Sequence, residues 1–219
     1  MSFDWGAIWP YRDQLLAGIG VTIALAVVTM LIAIPLGIIV MLMRISGIKP
    51  LAWIATVFVE IFRNTPLLLL VYWAYYAVPQ ITHLSVSALV TGVVALVLNT
   101  AAYNSENFRA GVNSIRKGQM EAGLSLGMSW GEAMRKIVLP QAIRRIVPVL
   151  ASSWVSLFKA TSLVSAIGVY ELAHVALEIR AENYRVLETL TTLALIYWVL
   201  AYPQAKLVDW LNRKYGAME

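Results

Sequence analysis

From Gln14 to Met43 the chain runs for 30 residues without a charged side chain. That is longer than the roughly 20 apolar residues needed to cross a bilayer. In hydrocarbon every backbone N–H and C=O must be bonded internally, so a run of this kind is restricted to a membrane helix. Its excess length suits a tilted span. The rest of the chain agrees, because only 13% of its residues are charged, against about 25% in soluble domains. The 219 residues suit one bundle and leave no room for an added soluble domain. The chain has no cysteine, which excludes disulfides, thiolate metal sites and Cys nucleophiles. The net charge of +5 reads as the bias of membrane proteins towards basic cytoplasmic loops, with no nucleic-acid partner. The N-terminal MSFDWGAIWPYRDQ has neither a basic leader region nor a cleavage site and does not read as a signal peptide.

Four further apolar runs follow. The second covers Leu51 to Val78 and is interrupted by FRNTP. The third starts near Val86 and fades into YNSENFRAG, the fourth runs from about Ile146 to Ile167, and the fifth from about Leu187 to Ala205. Five spans put the termini on opposite sides. With the N-terminus outside, the cytoplasmic side receives twelve of the 17 basic residues, seven of them between Arg109 and Arg145. The outside receives Arg12, Arg180 and Arg185, while Arg63 and Lys159 fall within spans. This asymmetry favours N-out, C-in, which makes the polar insert between the third and fourth spans cytoplasmic.

That insert contains EAGLSLGMSWGEAMRKIVLP, residues 121–140. Its first part, Ser114 to Ser125, has helical composition and stops at Gly127, which suits a left-handed C-terminal turn. Ser129 and Glu132 form a capping-box pattern that starts a second helix. Pro140 is expected to end it. Trp130, Met134 and Ile137 or Val138 fall on one apolar stripe, with Glu132, Arg135 and Lys136 off it. A short amphipathic helix of this kind can lie on lipid or dock in a partner's groove, and the pattern alone does not separate the two.

Glu121 and Ala122, Gly127 four residues after Gly123, and the closing Ile137-Val138-Leu139-Pro140 resemble the EAA loop of ATP-binding-cassette (ABC) importer permeases. Gly123 stands where that pattern has a second Ala. AYNSENFRAGVNSIRKGQMEAGLSLGMS, LPQAIRRIVP and FKATSLVSAIGVYEL, with FRNTPLLLLVYW before them in the chain, resemble segments of the polar amino-acid permeases in that family's order, and the likeness covers about residues 15–210. The resemblance implies an all-α, type I ABC importer fold filling one permease domain (1–219) in a bacterial inner membrane. It implies a partner pair of ATPase subunits that bind ATP and Mg, a second permease subunit, and a solute-binding protein that delivers an amino acid. It also makes the insert a coupling helix for the ATPase, with Glu121, Ala122, Gly127, Trp130, Met134, Arg135 and Pro140 as the coupling residues.

This chain itself carries no phosphate-cradling Gly-x-x-x-x-Gly-Lys-Ser/Thr, no Gly-x-Ser-x-Gly and no His-Glu-x-x-His. His83 and His174 lie far apart and read as loop histidines rather than a metal pair. No cofactor, metal site or enzyme activity of its own is expected. Charges inside spans cost about 2.5–3.5 kcal/mol each on insertion scales and mark candidate sites. Arg63 follows Glu60 by three residues, so mutual neutralisation is one explanation. The other is a substrate site. Pro66 forces Thr65 out of helical geometry, Thr65 suits an N-cap, and Pro66 suits the first turn of a new half-helix. The N–H end of that half-helix favours an anion, as in the broken helices of transporters. An amino acid's α-carboxylate is therefore expected near Thr65 to Leu67, with Arg63 close by.

Asn99 is expected to bond a neighbouring backbone, and Asn104 and Glu106 to be exposed near the cytoplasmic end. Lys159, Thr161 and Ser162 complete the candidate substrate set, unless Lys159 snorkels to the interface. Related permeases often carry an acid directly before the Thr-Ser pair, where this chain has Ala160. Its absence points away from basic cargo and towards glutamate, aspartate or glutamine. YWAYY (Tyr72 to Tyr76) reads as an interfacial aromatic anchor. A gradient-driven transporter or a basic amino-acid permease are the alternatives; the chain shows no internal repeat of the kind many secondary transporters have.

Overall fold

The computed structural model describes residues 4–215, and every regular element among them is helical. After a 3-10 turn at Trp5–Tyr11, α1 runs Arg12–Ile45. Lys49–Asn64 forms α2, and Leu67–Thr82 forms α3. Ala88–Asn113 forms α4 and Lys117–Ser125 forms α5. The long α6 occupies Trp130–Ile167, followed by α7 at Leu172–Asn183 and α8 at Val186–Tyr215. Four of these rods, beginning with the one that contains α1, are long and apolar enough to cross a bilayer; counting α2 with α3 as one bent crossing makes five. The five spans expected from the sequence correspond to α1, α2 with α3, α4, the apolar end of α6, and α8.

The centre of the bundle is the α1–α4 seam. On α1 the buried positions Gly18, Thr22, Ala26, Thr29, Ala33 and Gly37 recur at helical spacing. They are small because the two backbones come close: a Cβ on Gly37 would lie 3.1 Å from the Ala101 carbonyl oxygen. Lipid tails are as apolar as leucine, so close van der Waals packing of this kind is what holds membrane helices together. Around the seam, Leu25, Met30, Val71, Leu96 and Leu157 form the middle of the core. Met41, Phe108, Ile115, Val138 and Ile146 form a second cluster under the insert.

At the end of the bundle that receives α7, Glu171 is wholly buried. It caps α7 by accepting the His174 backbone N–H at 2.9 Å, and it accepts Thr22 Oγ1 at 3.2 Å and the Tyr197 hydroxyl at 3.0 Å. One carboxylate thus ties α1, α7 and α8 together with its polar capacity used, the condition under which burying it is tolerable.

Two helices widen to a π turn, at Trp73–Ala77 in α3 and at Met134–Val138 in α6. Both turns stop one residue short of an X-Pro bond. The Val78 N–H bonds the Trp73 carbonyl just before Pro79, and the Leu139 N–H bonds the Met134 carbonyl just before Pro140. The shift from i−4 to i−5 bonding relieves the clash between the proline ring and the preceding turn. This corrects the expectation at Pro140. The helix does not end there but continues into the fourth span, with Pro140 seated in the first turn of its next segment.

Candidate translocation site and coupling insert

The break expected at Thr65-Pro66 is present and sharp. Asn64 ends α2, Thr65 is extended (φ −100°, ψ 131°), and α3 leaves at 107° to α2. Pro66 also takes an extended ψ of 130° and occupies the N-cap position itself, so no side chain caps α3. The expectation that Thr65 would be the N-cap is off by one residue, because both members of the Thr-Pro pair stay outside helical geometry. Pro66 has no N–H to give the Phe62 carbonyl, and the bend removes the Leu67 N–H from the Arg63 carbonyl. An unsatisfied carbonyl in hydrocarbon costs several kcal/mol. Both oxygens are met from one face of α4: Asn99 Nδ2 donates to Phe62 O at 2.6 Å, and the Tyr103 hydroxyl donates to Arg63 O at 3.2 Å. Asn99 therefore does bond a neighbouring backbone, as expected.

One turn further along that face is Glu106. Its side chain is only 16% exposed, and three arginines converge on it. Arg44 from the end of α1 pairs with one carboxylate oxygen. Arg109 donates to the other from Nη2 at 2.7 Å and from Nε at 3.2 Å. Arg63 approaches to 3.9 Å, and its guanidinium lies over the Tyr103 ring, 5.4 Å from the centroid. Three readings from the sequence change here. Glu60 does not neutralise Arg63, since it accepts from Asn64 at 2.6 Å instead. Glu106 is not an exposed end-of-span acid. Asn104 is fully buried, accepting from Ser153 at 2.9 Å and facing the Met30 sulfur.

Beside the bend, α4 and α6 enclose a cavity of about 340 Å³, lined by Leu67 at the head of α3 and by Asn99, Tyr103, Asn107, Ser152 and Ser156 among others. Its polar groups are uncharged, and no carboxylate lines it. A larger cavity of about 620 Å³ on the other side of the bend is walled by Phe62, Leu69, Trp73, Val94 and Leu98. That second space suits apolar chains and offers a zwitterion little to bond.

Only part of the expected substrate set gathers at the smaller cavity. Thr65 and Pro66 directly precede Leu67, and Arg63 stands behind Tyr103. Lys159 is exposed beside the cavity-lining Ala160. Thr161 is wholly buried, donates to the Phe158 carbonyl at 2.8 Å, and does not line the cavity. Ser162 closes on the Lys159 carbonyl at 2.8 Å. The serines at 152, 153 and 156, with Asn107, escaped the sequence reading. Their signal was polar residues at helical spacing within an apolar run.

The insert folds as its punctuation requires. Gly127 is left-handed at φ +80°; its N–H bonds Leu124 O, and the Met128 N–H bonds Gly123 O. Those two bonds form a Schellman stop. Ser129 and Glu132 cap each other reciprocally. The Glu132 carboxyl, well before the apolar part of α6, is held below the usual carboxylate range, first by the Ser129 backbone N–H and then by Lys136. The apolar stripe divides, however. Met134 and Val138 pack inwards on the cluster under the insert, and Ile137 reaches Gly123. Exposed to the outside are Leu126 (78%), Trp130 (62%) and Leu124, with Glu121, Ala122, Arg135, Lys136 and Pro140 around them. The exposed apolar surface of the insert is thus the turn between α5 and α6, and Met134 lies beneath it.

Residues 33–216 match the family described as binding-protein-dependent transport system inner membrane component. The chain belongs to that family. It is therefore a permease component of an inner-membrane, multi-pass transport system, and not an enzyme. It is 38% identical over 200 residues to the arginine transport system permease protein ArtQ of Bacillus subtilis (strain 168), covering 91% of each chain. It is 35% identical over 215 residues to the glutamine transport system permease protein GlnP of Escherichia coli (strain K12), covering 98% of each. The glutamate/aspartate import permease protein GltK of Escherichia coli O6:H1 is also 35% identical, over 97% of this chain and 98% of that one. A chain from the crystal structure of an amino acid ABC transporter with histidines superposes with a TM-score of 0.93 at 33% identity, covering 98% of this chain and all of that one. A chain of the MetNI methionine ABC transporter, at 19% identity and a TM-score of 0.70, shares the fold.

Proposed function

We propose that this chain is the permease subunit of an ATP-driven ABC importer for a polar amino acid without a cationic side chain, in the glutamine, glutamate and aspartate class. The observation that carries the cargo class is the cavity beside the bent span. Its lining offers amide and hydroxyl groups from Asn99, Asn107, Ser152 and Ser156 and no carboxylate to hold a basic side chain. Relatives of nearly equal identity serve arginine, glutamine and glutamate/aspartate by name, so overall similarity leaves the choice to the site. At the head of α3 the Leu69 and Leu70 N–H groups already bond the Pro66 carbonyl, which leaves the N–H groups of Leu67 and Leu68 as the donors for the α-carboxylate. Arg63 and Lys159 are the nearby cations.

In this reading the N-terminus is outside and the C-terminus inside. The α5–α6 turn is the EAA coupling loop, presented to a pair of ATPase subunits that bind ATP and Mg. A second permease chain completes the path, and a solute-binding protein delivers cargo from outside. ATP-driven closure of the ATPase pair, pulling on Leu126 and Trp130, would alternate the access of the cavity. The test is ATPase activity of the complex in liposomes, with its ATPase and binding protein, screened across the amino acids. Stimulation by glutamine, glutamate or aspartate is expected. Stimulation by arginine, lysine or histidine alone would overturn the cargo class, and transport that follows an ion gradient without ATP would overturn the importer.

A further inference from the structure

The arginine cluster at Glu106 holds more cations than one carboxylate can neutralise. Arg44 and Arg109 contact it closely; Arg63, at 3.9 Å and more than a third exposed, is held most loosely. The nearest other acid to Arg63 on α2, Glu60, is occupied by Asn64. Arg63 also stacks on Tyr103, and the Tyr103 side chain is at once a wall of the polar cavity. A zwitterion in that cavity meets no charged lining group, yet every α-amino acid carries a carboxylate that pairs best with a forked guanidinium.

We propose that Glu106 is the resident counter-ion of a carboxylate-exchange site: it holds Arg63 while the cavity is empty and yields it to the α-carboxylate of the passing amino acid. The exchange suits the charges. When Arg63 turns about Tyr103 towards the cavity, Glu106 keeps Arg44 and Arg109, so no buried carboxylate is left uncompensated. Competition from Glu106 also limits how long Arg63 holds the substrate, which is what a transporter needs for release. Glu106 is thus a positioning residue and Arg63 the substrate-contacting one. This inference rests on the amino-acid reading above.

The experiment measures binding of radiolabelled L-glutamine and L-glutamate to the purified permease–ATPase complex without binding protein. Each is compared with its analogue in which the α-carboxylate is replaced by an amide. In the unaltered complex the acid is expected to bind at least tenfold better than the α-amide, as a charge-assisted pair predicts. Arg63→Ala should bring that ratio close to one. Glu106→Gln should raise it severalfold and slow uptake, while in the Arg63→Ala background Glu106→Gln should leave it unchanged. A Glu106→Gln ratio equal to that of the unaltered complex, or one that shifts equally with and without Arg63, would overturn the proposal. Should Glu106→Gln fail to assemble with the ATPase, Glu106→Asp keeps the charge but shortens its reach, and the same rise in ratio is required of it. If no amino acid is bound or transported by the unaltered complex, the proposed function fails; if binding is robust and the ratio ignores Arg63 and Glu106, only the exchange site fails.

Discussion

Pro66 and Pro140 meet the same chemistry and give opposite outcomes. Each follows a helical stretch and removes one N–H. At Pro66 the chain turns through 107° and a new helix begins; at Pro140 the helix widens to a π turn and continues. The residue before the proline differs: Thr65 is extended, whereas Leu139 stays helical (φ −59°, ψ −44°). The surroundings differ as well. Asn99 and Tyr103 wait on α4 to take the carbonyls a break releases. At Pro140 the inward packing of Val138 and Ala142 keeps the rod on its course. At these two prolines the chain turns a corner where the neighbouring helix has donors for the freed backbone, and only widens where it has apolar packing instead.

The largest effect expected from testing this contrast falls on the straight junction, because the rod there carries the exposed turn proposed to meet the ATPase. Trp130→Ala together with Leu126→Asp should abolish copurification with the ATPase while the chain remains inserted, since a tryptophan that serves as an interface hot spot is worth about 2 kcal/mol or more, about 30-fold in affinity. Glu121→Lys should uncouple ATP hydrolysis from uptake; normal uptake in both variants would remove the turn from the coupling role. Next comes Asn99→Leu, which keeps the branching and the number of side-chain heavy atoms but leaves the Phe62 carbonyl bare. A loss of about 1–3 kcal/mol is expected, read as a lowered Tm of the detergent-solubilised complex. A smaller change in stability but a change in shape is expected from Pro66→Ala, read as an altered spin-label distance between α2 and α3, whereas Pro140→Ala should leave the distance between α5 and the end of α6 as it is. Equal responses from the two prolines would erase the contrast. The smallest net effect is expected from Gly123→Ala: the new methyl meets the flexible Cδ1 of Ile137 at 2.9 Å and the backbone-fixed Cβ of Ala133 at 3.0 Å, an overpacking cost of about 1–3 kcal/mol largely offset by the roughly 1 kcal/mol helix preference of Ala over Gly, so the Tm of the complex should move little.

Local grammar made much of the molecule readable in advance. Span length, the Thr65-Pro66 break, the Gly127 stop and the Ser129–Glu132 box depend on neighbours within a few residues, and each stands where its pattern placed it. What lay beyond reach depends on which faces meet across the bundle. Glu106 looked exposed because it sits near a helix end, and nothing in YNSENFRAG announces that Arg44 and Arg63 arrive from two other helices. Met134 and Trp130 share a stripe on paper, yet the first is covered by the cluster under the insert and the second is not. Thr161 and Ser162 looked like a substrate pair, but a 3-10 turn directs both hydroxyls back to their own backbone. Pro140 was misjudged for a related reason: a stop rule holds only if the helix cannot widen.

The small-residue seam on α1 has a mechanical consequence. Gly18, Thr22, Ala26, Thr29, Ala33 and Gly37 act like the teeth of a rack meshed with its neighbours, Gly37 with the Ala101 backbone and Gly18 with the Leu172 backbone. Stepping this rack on by a single residue, about 1.5 Å of rise with a turn of about 100°, would bring Ile19, Ile23, Val27, Met30, Ile34 and Ile38 against a gap sized for much smaller side chains. α1 and α4 therefore have no intermediate gear; they travel as one piece, and whatever motion the transport cycle demands is left to the parts that hinge around them.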